Sequence, residues 1–453
     1  MVVHSDLPRV SDFKCSEPLV NKLVLNTVWG QKGNFLDVPT DCPQRDERAG
    51  WTGDAQVFMK TACFNLDAPA FFTKWLVDLC QDSQRQDGAF GDVAPYIRIV
   101  SHGNTGWSDA GPVCNWQMYR MYGDTRVLQQ HYEALLRHAE FLARTSTNHV
   151  RGTGAYGDWL RLAGPQHSEV IGTAYYYYTT RLMSEIAAAI GRKEDSERFS
   201  KLASEIKSVF AEKFIKEDGR IIDSKNETGQ TFYALAFGLD LVPESVKSKV
   251  AHQFVKTVEA QDWHLATGFL GTPFVLFALE KAGYPDLAYR MVLNKTYPSW
   301  LQQVIWGSTT MWERWDGWRP DKGFQDPGMN SFNHYWLGCV GEWLFTRAAG
   351  IDAASPGFKT IVIRPLLDPA GKGFSWVKAH YESIRGRIES SWRLSDGLFE
   401  LEVVIPANTS ATVHLPAKDP AEITESGKPI DRAEGINSIK QENGYVVLGV
   451  TSG

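Results

Sequence analysis

The sequence predicts a mainly α protein in which an (α/α)6 barrel, a ring of six helical hairpins, is followed by a small antiparallel β-sandwich. Helical periodicity comes in pairs separated by Gly- or Pro-containing turns up to about residue 349, and alternating polar and apolar residues replace it after Gly350. With 453 residues, the chain is also longer than one hydrophobic core usually supports. We expect the barrel in residues 16–354 and the sandwich in residues 355–453.

The helical pattern begins at Ser16, which we expect to cap a helix with valines at every fourth position. Asp54 is expected to cap the next helix, and Pro69 to lie in the first turn of a third. Further helices are expected at 171–190, 199–214, 231–237, 243–258, 274–282 and 332–349. Such pairs can stack in a row or close into a ring. Because the sequence lacks the fixed short period of a solenoid, the ring is preferred.

Residues 399–405 and 411–415 alternate between apolar and polar side chains, which predicts half-buried strands. Asn443-Gly444 between two apolar runs predicts a β-hairpin. The boundary between the two domains is expected near residues 355–357.

The composition excludes several classes of partner. The formal net charge is only −6 and Lys and Arg are not clustered, whereas nucleic-acid binding requires clustered positive charge. The apolar runs are too short for a membrane span, and the start MVVHSDLPRV lacks the features of a signal peptide, so we expect a cytoplasmic protein as given. The cysteines show no CxxC pair and no metal-ligand spacing, and we expect free thiols at Cys15, Cys42, Cys63, Cys80, Cys114 and Cys339.

The segment Asp37–Asp54, DVPTDCPQRDERAGWTGD, concentrates charge between two predicted helices. Its prolines restrict the backbone, and its glycines allow tight turns or the close approach of a ligand. Helix capping and a solvated helix face are the alternative explanation, above all for Arg48. The density of polar groups favours a functional site that contains Asp37, Asp41, Arg45, Asp46, Glu47, Trp51 and Asp54.

A second cluster, TTMWERWDGW at residues 309–318, places Glu313 and Asp316 among three tryptophans. The indole ring combines a large flat apolar face with an N–H donor, which suits a sugar ring as well as it suits a core. A surface charge pattern in front of buried rings is the alternative. His334 begins a predicted apolar helix, where a core or capping histidine is the ordinary explanation.

Two carboxylates far apart in the sequence, each among tryptophans and polar groups, favour glycosidic cleavage. In that reaction one acid protonates the departing oxygen and one base activates water. The sequence has no Gly-rich phosphate loop, no GxSxG elbow, no HExxH motif and no context for a cysteine nucleophile. We expect neither a cofactor nor a metal, since this hydrolysis needs no cofactor.

At DVPTDCPQRDERAGWTGDAQ the sequence closely resembles the bacterial α-L-rhamnosidases of glycoside hydrolase family 78. The resemblance recurs at TGWSDAGP, YGDWL, HLATGFLGTP, TTMWERWDGW and GMNSFNHYWLGCVGEWL, and it continues into the C-terminal domain at IPANTSATVHLP. The family's catalytic domain is an (α/α)6 barrel. Most members carry β-sandwich domains before the barrel. The resemblance therefore implies that residues 1–15, which begin MVVHSDLP, are the remnant of a β-linker at the tail of such a domain.

The resemblance implies that Glu47 is the general acid and Glu313 the general base. Asp41, Arg45 and Asp54 would bind the rhamnose hydroxyls or tune the acid, and Asp46 receives no role. The pocket wall, which would face the C6 methyl of rhamnose, would be formed by Trp51, Trp107, Trp159, Trp312 and His334.

Because the family inverts the anomeric centre, the carboxyl groups of Glu47 and Glu313 are expected to lie about 6.5–9.5 Å apart. The expected activity is the removal of terminal non-reducing α-L-rhamnosyl units from rhamnose-containing glycosides or oligosaccharides. Two alternatives stay open: another inverting (α/α)6 sugar hydrolase or phosphorylase, and a carbohydrate-binding relative without activity.

Overall fold

The computed structural model describes residues 3–97 and 100–453. It confirms the predicted fold class, a ring of helical hairpins followed by a β-sheet domain. The helices are α1 (Pro18–Asn34), α2 (Thr52–Asn65), α3 (Pro69–Val77), α4 (Ala110–Tyr122), α5 (Thr125–Arg144), α6 (Glu169–Ala189), α7 (Lys193–Phe214), α8 (Gln230–Gly238), α9 (Lys247–Glu259), α10 (Thr272–Lys281), α11 (Pro285–Val292), α12 (Trp300–Ile305) and α13 (Val340–Trp343).

The inner ring is closed. Its members are α2, α4, α6, α8, α10 and a last inner element, residues 335–343, in which a 3₁₀ turn (Tyr335–Cys339) leads into α13. Each member contacts the next in this order, and the last inner element contacts α2 again. Burial explains how apolar residues are distributed around each helix. An inner helix is enclosed on all sides and needs apolar residues all round, whereas an outer helix needs them only on the face that packs against the ring. Accordingly, residues 230–237 of α8 are all buried, whereas outer helix α7 buries one face.

Three predicted helix details are wrong. Glu17, not Ser16, caps α1, because its carboxylate accepts a hydrogen bond from the Leu19 N–H at 3.2 Å. Asp54 does not cap α2; it lies in the first turn of that helix, with its side chain turned into a buried site. The segment 332–349 is not one regular helix but the 3₁₀ turn, α13 and a π-helical turn (Leu344–Ala348). Gly338 and Gly341, which are weak helix formers, let this segment approach α2 closely.

The C-terminal residues, together with one strand that precedes the barrel, form two principal sheets. Their strands are β1 (Ser11–Cys15), β6 (Ile351–Ala353), β7 (Thr360–Ile363), β8 (Trp376–Ser383), β9 (Gly386–Ser395), β10 (Leu398–Val404), β11 (Ser410–Leu415), β14 (Ile436–Glu442) and β15 (Tyr445–Thr451). Strands of the first have the order β1-β8-β9-β10 and those of the second β14-β15-β11-β7-β6. The hairpin predicted at Asn443-Gly444 is confirmed between β14 and β15. The β7–β11 pair is parallel, so the second sheet is mixed rather than purely antiparallel.

Short two-stranded ribbons complete the strand set of the described residues. They pair β2 (Phe35–Leu36) with β3 (Val38–Pro39), β4 (Trp318–Arg319) with β5 (Gly323–Phe324), and β12 (Thr424–Glu425) with β13 (Lys428–Pro429).

The sheet domain packs against the end of the barrel. The Trp392 indole N–H donates a hydrogen bond to the Ala348 carbonyl at 2.7 Å, and the Ser390 hydroxyl donates one to the Ala349 carbonyl at 2.6 Å. Both carbonyls lie at the end of the last helical segment, where backbone oxygens have no partner within the helix. The β-domain therefore supplies hydrogen bonds that the barrel itself lacks.

All six cysteines are buried and free, as predicted. Within residues 3–97 and 100–453, no helix combines the length and apolar character needed to cross a membrane.

We predict that Gly50→Ala destabilises the fold. A Cβ at Gly50 would lie 2.1 Å from the Ala94 carbonyl oxygen, a backbone atom that also accepts a hydrogen bond from the Trp75 indole. Overpacking of this kind typically costs about 1–3 kcal/mol, which urea unfolding followed by tryptophan fluorescence would measure. Gly152→Ala is the matched control, because a Cβ there meets no atom of residues 3–97 and 100–453 within 4 Å. Equal stability of the two variants would contradict the prediction.

Candidate active site

The residues predicted to act together lie at one mouth of the barrel. Trp51 directly precedes α2, Trp107 precedes α4, and Trp159 lies in the loop before α6. Glu313 and His334 lie in the segment before the last inner element. Because the outer helices return the chain, the inner elements run in the same direction and their N-terminal loops meet at this end of the ring. The site is therefore assembled from loops that are far apart in sequence.

Arg45 is the centre of the charged cluster. Its guanidinium donates two hydrogen bonds to Glu313, from Nη1 to Oε2 at 2.6 Å and from Nη2 to Oε1 at 3.1 Å. It also contacts Glu47 Oε2, from Nε at 2.7 Å and from Nη2 at 2.5 Å, while Asp41 Oδ2 lies 3.9 Å from Nη2. The fork of Arg suits such paired contacts with carboxylates. One cation thus joins the acid and the base that the resemblance implies.

The two carboxylates differ in exposure. The side chain of Glu313 is 3% exposed, and that of Glu47 is 32% exposed. The backbone of Glu313 is also fixed, because its N–H donates to the Ser331 carbonyl and its carbonyl accepts from the Trp336 indole, both at 2.8 Å. Glu313 is therefore a rigid group at the floor of the site, and Glu47 is a group at the mouth.

Arg45 also sets the spacing of the pair. Since its Nη2 contacts both carboxylates, the nearest oxygens of Glu47 and Glu313 lie no more than about 6 Å apart, below the range of about 6.5–9.5 Å for inverting enzymes. The predicted separation is therefore not found in this structure, because the shared guanidinium draws the two carboxylates together.

Asp54 and His334 form a buried polar pair beside Glu313. The Nδ1 atom of His334 lies 3.4 Å from Asp54 Oδ1, and its Nε2 lies 4.0 Å from Glu313 Oε1. Burial, followed by the charges of neighbouring carboxylates, raises the pKa of Asp54 well above its usual range. Burial and then the charge of Arg45 lower the pKa of His334 to about 3. Both shifts favour the uncharged forms, and neither Asp54 Oδ1 nor His334 Nδ1 has a hydrogen-bond partner among the described residues.

Asp41, Cys42 and Glu47 form the only group of three or more metal-ligand side chains found within the described ranges, and their ligand atoms lie within 4.8 Å of one another. Burial raises the pKa of Asp41 to about 6 and that of the Cys42 thiol to about 12. Asp41 also accepts a hydrogen bond from the Ala49 N–H at 2.9 Å, which fixes the turn. A cation at this position would compete with the guanidinium of Arg45.

Aromatic rings line one side of the site. The distances between ring centroids are 5.7 Å for Trp51 and Tyr156, 4.6 Å for Trp107 and Tyr156, and 6.4 Å for Tyr156 and Trp159. Three of the predicted wall tryptophans therefore converge on a single tyrosine. Trp312 is buried but packs edge-on against Phe332 instead, with centroids 5.0 Å apart.

A second line of rings continues towards the floor. Phe269 stacks on Trp336 with centroids 4.0 Å apart, and it lies within 6.1 Å of the His334 ring. A cavity of about 290 Å³ lies beside Glu313, and Trp159 and Trp336 contribute to its lining. The lining includes Glu313 but neither Glu47 nor Arg45, so this cavity lies on the Glu313 side of the charged cluster.

Four residues of this site were missed by the sequence analysis: Asp92, Tyr156, Phe269 and Trp336. The last three lie within or beside the family motifs quoted above, so those motifs carried a signal for them. Asp92 had no such signal. It is completely buried, accepts a hydrogen bond from the Asn104 amide at 2.6 Å, and burial raises its pKa to about 6.

A closed ring of helical hairpins with paired carboxylates in an aromatic pocket at one mouth defines a six-hairpin glycosidase domain. The chain belongs to the bacterial α-L-rhamnosidase family: residues 8–348 match the model of the bacterial α-L-rhamnosidase six-hairpin glycosidase domain, and residues 350–429 match that of the bacterial α-L-rhamnosidase C-terminal domain. The resemblance found in the sequence motifs is thereby confirmed.

Known relatives agree with this assignment. The chain is 41% identical over 433 residues to an α-L-rhamnosidase of Streptomyces avermitilis, a match that covers 96% of this chain and 41% of that protein. Among solved structures, the Streptomyces avermitilis α-L-rhamnosidase complexed with L-rhamnose has a TM-score of 0.91 at 40% identity, covering 99% of this chain and 42% of that one. The α-L-rhamnosidase from Dictyoglumus thermophilum has a TM-score of 0.89 at 33% identity, covering 99% and 50%. The chain thus spans half or less of the length of these relatives.

We predict that Arg45→Gln destabilises the protein. The substitution leaves the nearly inaccessible Glu313 carboxylate without its cation, and removal of one partner of a buried ion pair typically costs about 3–5 kcal/mol. Urea unfolding would measure the loss. The matched control is Arg48→Gln, because Arg48 is half exposed and pairs only with the fully exposed Asp46 among the described residues. Its effect should stay within about 0.5 kcal/mol. A loss in Arg45→Gln no larger than in the control would contradict the prediction.

Proposed function

We propose that this protein is an inverting exo-glycosidase that hydrolyses terminal non-reducing α-L-rhamnosyl residues from rhamnosides. The observation that carries the proposal is the meeting of Glu47 and Glu313 at Arg45 inside an aromatic pocket. Membership of the α-L-rhamnosidase family supports the substrate, and so does the similarity to a relative solved in complex with L-rhamnose.

The depth of the two carboxylates supports an exo mode of cleavage. A terminal sugar that enters a closed-ended pocket places its anomeric carbon between the floor and the mouth, so that the rest of the substrate projects outwards. Glu47 at the mouth is then the carboxyl group nearer to the leaving group, and Glu313 at the floor faces the opposite side of the ring. The aromatic rings suit the apolar C6 methyl of rhamnose.

In the proposed mechanism, the protonated carboxyl group of Glu47 donates its proton to the glycosidic oxygen as the bond from that oxygen to the anomeric carbon breaks. The carboxylate of Glu313 takes a proton from a water molecule, whose oxygen attacks the anomeric carbon from the opposite face. The products are the free aglycone alcohol and L-rhamnose of inverted, β configuration. Asp41 and Asp54 would bind sugar hydroxyls, and Arg45 would hold the pair until the sugar separates it.

A panel of p-nitrophenyl glycosides tests the activity, and NMR of the first-formed product tests the stereochemistry. We expect hydrolysis of the α-L-rhamnopyranoside alone, with β-L-rhamnose as the initial product. Cleavage of a glucoside instead, or phosphate-dependent cleavage, would identify another (α/α)6 enzyme. Initial release of the α anomer would contradict inversion. L-Rhamnose binding without turnover would indicate the inactive binding relative.

We predict that Glu47→Gln and Glu313→Gln have different substrate dependences. Loss of a general acid or base costs about 10²–10⁴-fold in rate. A nitrophenolate departs without protonation, whereas a sugar alkoxide does not. Glu47→Gln should therefore lose more activity on a rhamnosyl disaccharide than on the nitrophenyl rhamnoside, and Glu313→Gln should lose activity on both. Measurement of kcat/KM for each pair checks this.

The control is Asp46→Asn, which alters the acid next to Glu47 but whose side chain is fully exposed. It should retain wild-type rates on both substrates. Full activity of either Glu variant on both substrates would contradict the assigned roles.

A further inference from the structure

Tyr156 occupies a central place in the pocket wall that no assigned role explains. It packs against all three convergent tryptophans, Trp51, Trp107 and Trp159, and remains only half-buried. Burial and then the charges of Asp92 and Glu47 raise the pKa of Tyr156, so its hydroxyl keeps its proton. A neutral hydroxyl therefore lies near the proposed acid, on a ring that other rings hold in place.

Asp92 is completely buried and lies close enough to the Tyr156 hydroxyl for each group to affect the pKa of the other. Its Oδ2 accepts a hydrogen bond from the Asn104 amide at 2.6 Å. Its Oδ1 has no hydrogen-bond partner among the described residues. A buried carboxylate without a cation is costly, so its position needs a reason beyond packing.

Asn104 connects Asp92 to the loop that carries the tyrosine. Its Oδ1 accepts a hydrogen bond from the N–H of Ala155, the residue before Tyr156, at 2.7 Å. Asp92 is thus linked through Asn104 to the backbone beside Tyr156, which restricts where the Tyr156 ring lies. The unpartnered Oδ1 of Asp92 is the acceptor available to the Tyr156 hydroxyl.

We propose that Tyr156 is a further substrate-binding residue of this pocket and that Asp92 is the positioning residue that orients its hydroxyl. The inference rests on the proposed function, since it assigns a group to that same sugar site. A hydroxyl that donates its proton to Asp92 keeps its oxygen lone pairs free. Those lone pairs accept a hydrogen bond from a hydroxyl of the bound sugar on the side of Glu47. No covalent step is involved.

The test is a double-mutant cycle on Tyr156→Phe, Asp92→Asn and the double variant, with Tyr119→Phe as the control. Tyr119 packs against Trp116 near the C-terminal end of α4, away from the site. Phe preserves the ring packing and removes only the hydroxyl.

We expect Tyr156→Phe to lower kcat/KM about 10-fold with an unchanged melting temperature, as for one lost hydrogen bond. Asp92→Asn should lower kcat/KM similarly in the wild-type background and hardly at all in the Tyr156→Phe background.

Independent losses that multiply in the double variant would overturn the positioning role of Asp92, because a merely structural carboxyl lowers activity equally in both backgrounds. Wild-type kcat/KM in Tyr156→Phe would overturn the role of Tyr156, and this readout stands even where Asp92→Asn fails to fold. The variants are compared on whichever glycoside of the panel the wild-type protein cleaves. Failure of the rhamnosidase proposal is therefore seen in the wild-type protein, and failure of this inference in the variants; a wild-type protein that cleaves no glycoside overturns both.

Discussion

The contact between Arg45 and Glu313 is the constraint on which the rest of the site depends, because it joins two segments 268 positions apart. A bidentate pair tolerates little displacement, since both hydrogen bonds weaken when either partner moves. The first inner helix follows one segment, and the last inner element follows the other. The two come together only when the ring closes, so closure of the barrel and assembly of the charged cluster are one event. An open row of the same hairpins would leave the Glu313 carboxylate without its cation.

A single guanidinium also limits how much negative charge the pocket holds. Glu47 and Glu313 contact Arg45 directly, whereas Asp41 lies farther away and Asp54 pairs with His334. Burial raises the pKa of both aspartates, which reduces the charge that Arg45 has to balance. The aromatic wall produces this effect because it excludes water, and the same exclusion strengthens the remaining electrostatic contacts. The uncharged acids and the strengthened contacts of Arg45 are therefore two consequences of the same exclusion of water.

The sequence predicted those features that depend on local spacing or on a family motif. The stripe of α7, with Phe199 to Phe214 on one face, and the hairpin at Asn443-Gly444 are local and were predicted correctly. The irregular last inner element and the π-helical turn that follows it were not, because their irregular turns depend on packing against α2. Asp92 was missed for a related reason: nothing near it in sequence distinguishes a carboxyl beneath a pocket from a solvated one. The partners of Asp92 come from two later loops and become neighbours only in the folded chain.

The end of the barrel opposite the mouth shows how an irregular helical element can close a ring. The seam of the ring is the contact between its first inner helix, α2, and the last inner element, which contains α13. The ammonium group of Lys60 in α2 lies 3.2 Å from Glu342 of α13 and 3.2 Å from Asp352 of β6, so it joins both sides of the seam to the sheet domain. Strand β1, which precedes the barrel, pairs with β8 of the same domain, and Trp392 binds the carbonyl at the end of the π-helical turn. The sheet domain therefore holds the chain where it enters the barrel and where it leaves. Arg45 closes the seam at the mouth, and the sheet domain closes it at the far end. Glu313 is therefore held in place although the inner element that follows it is short and irregular.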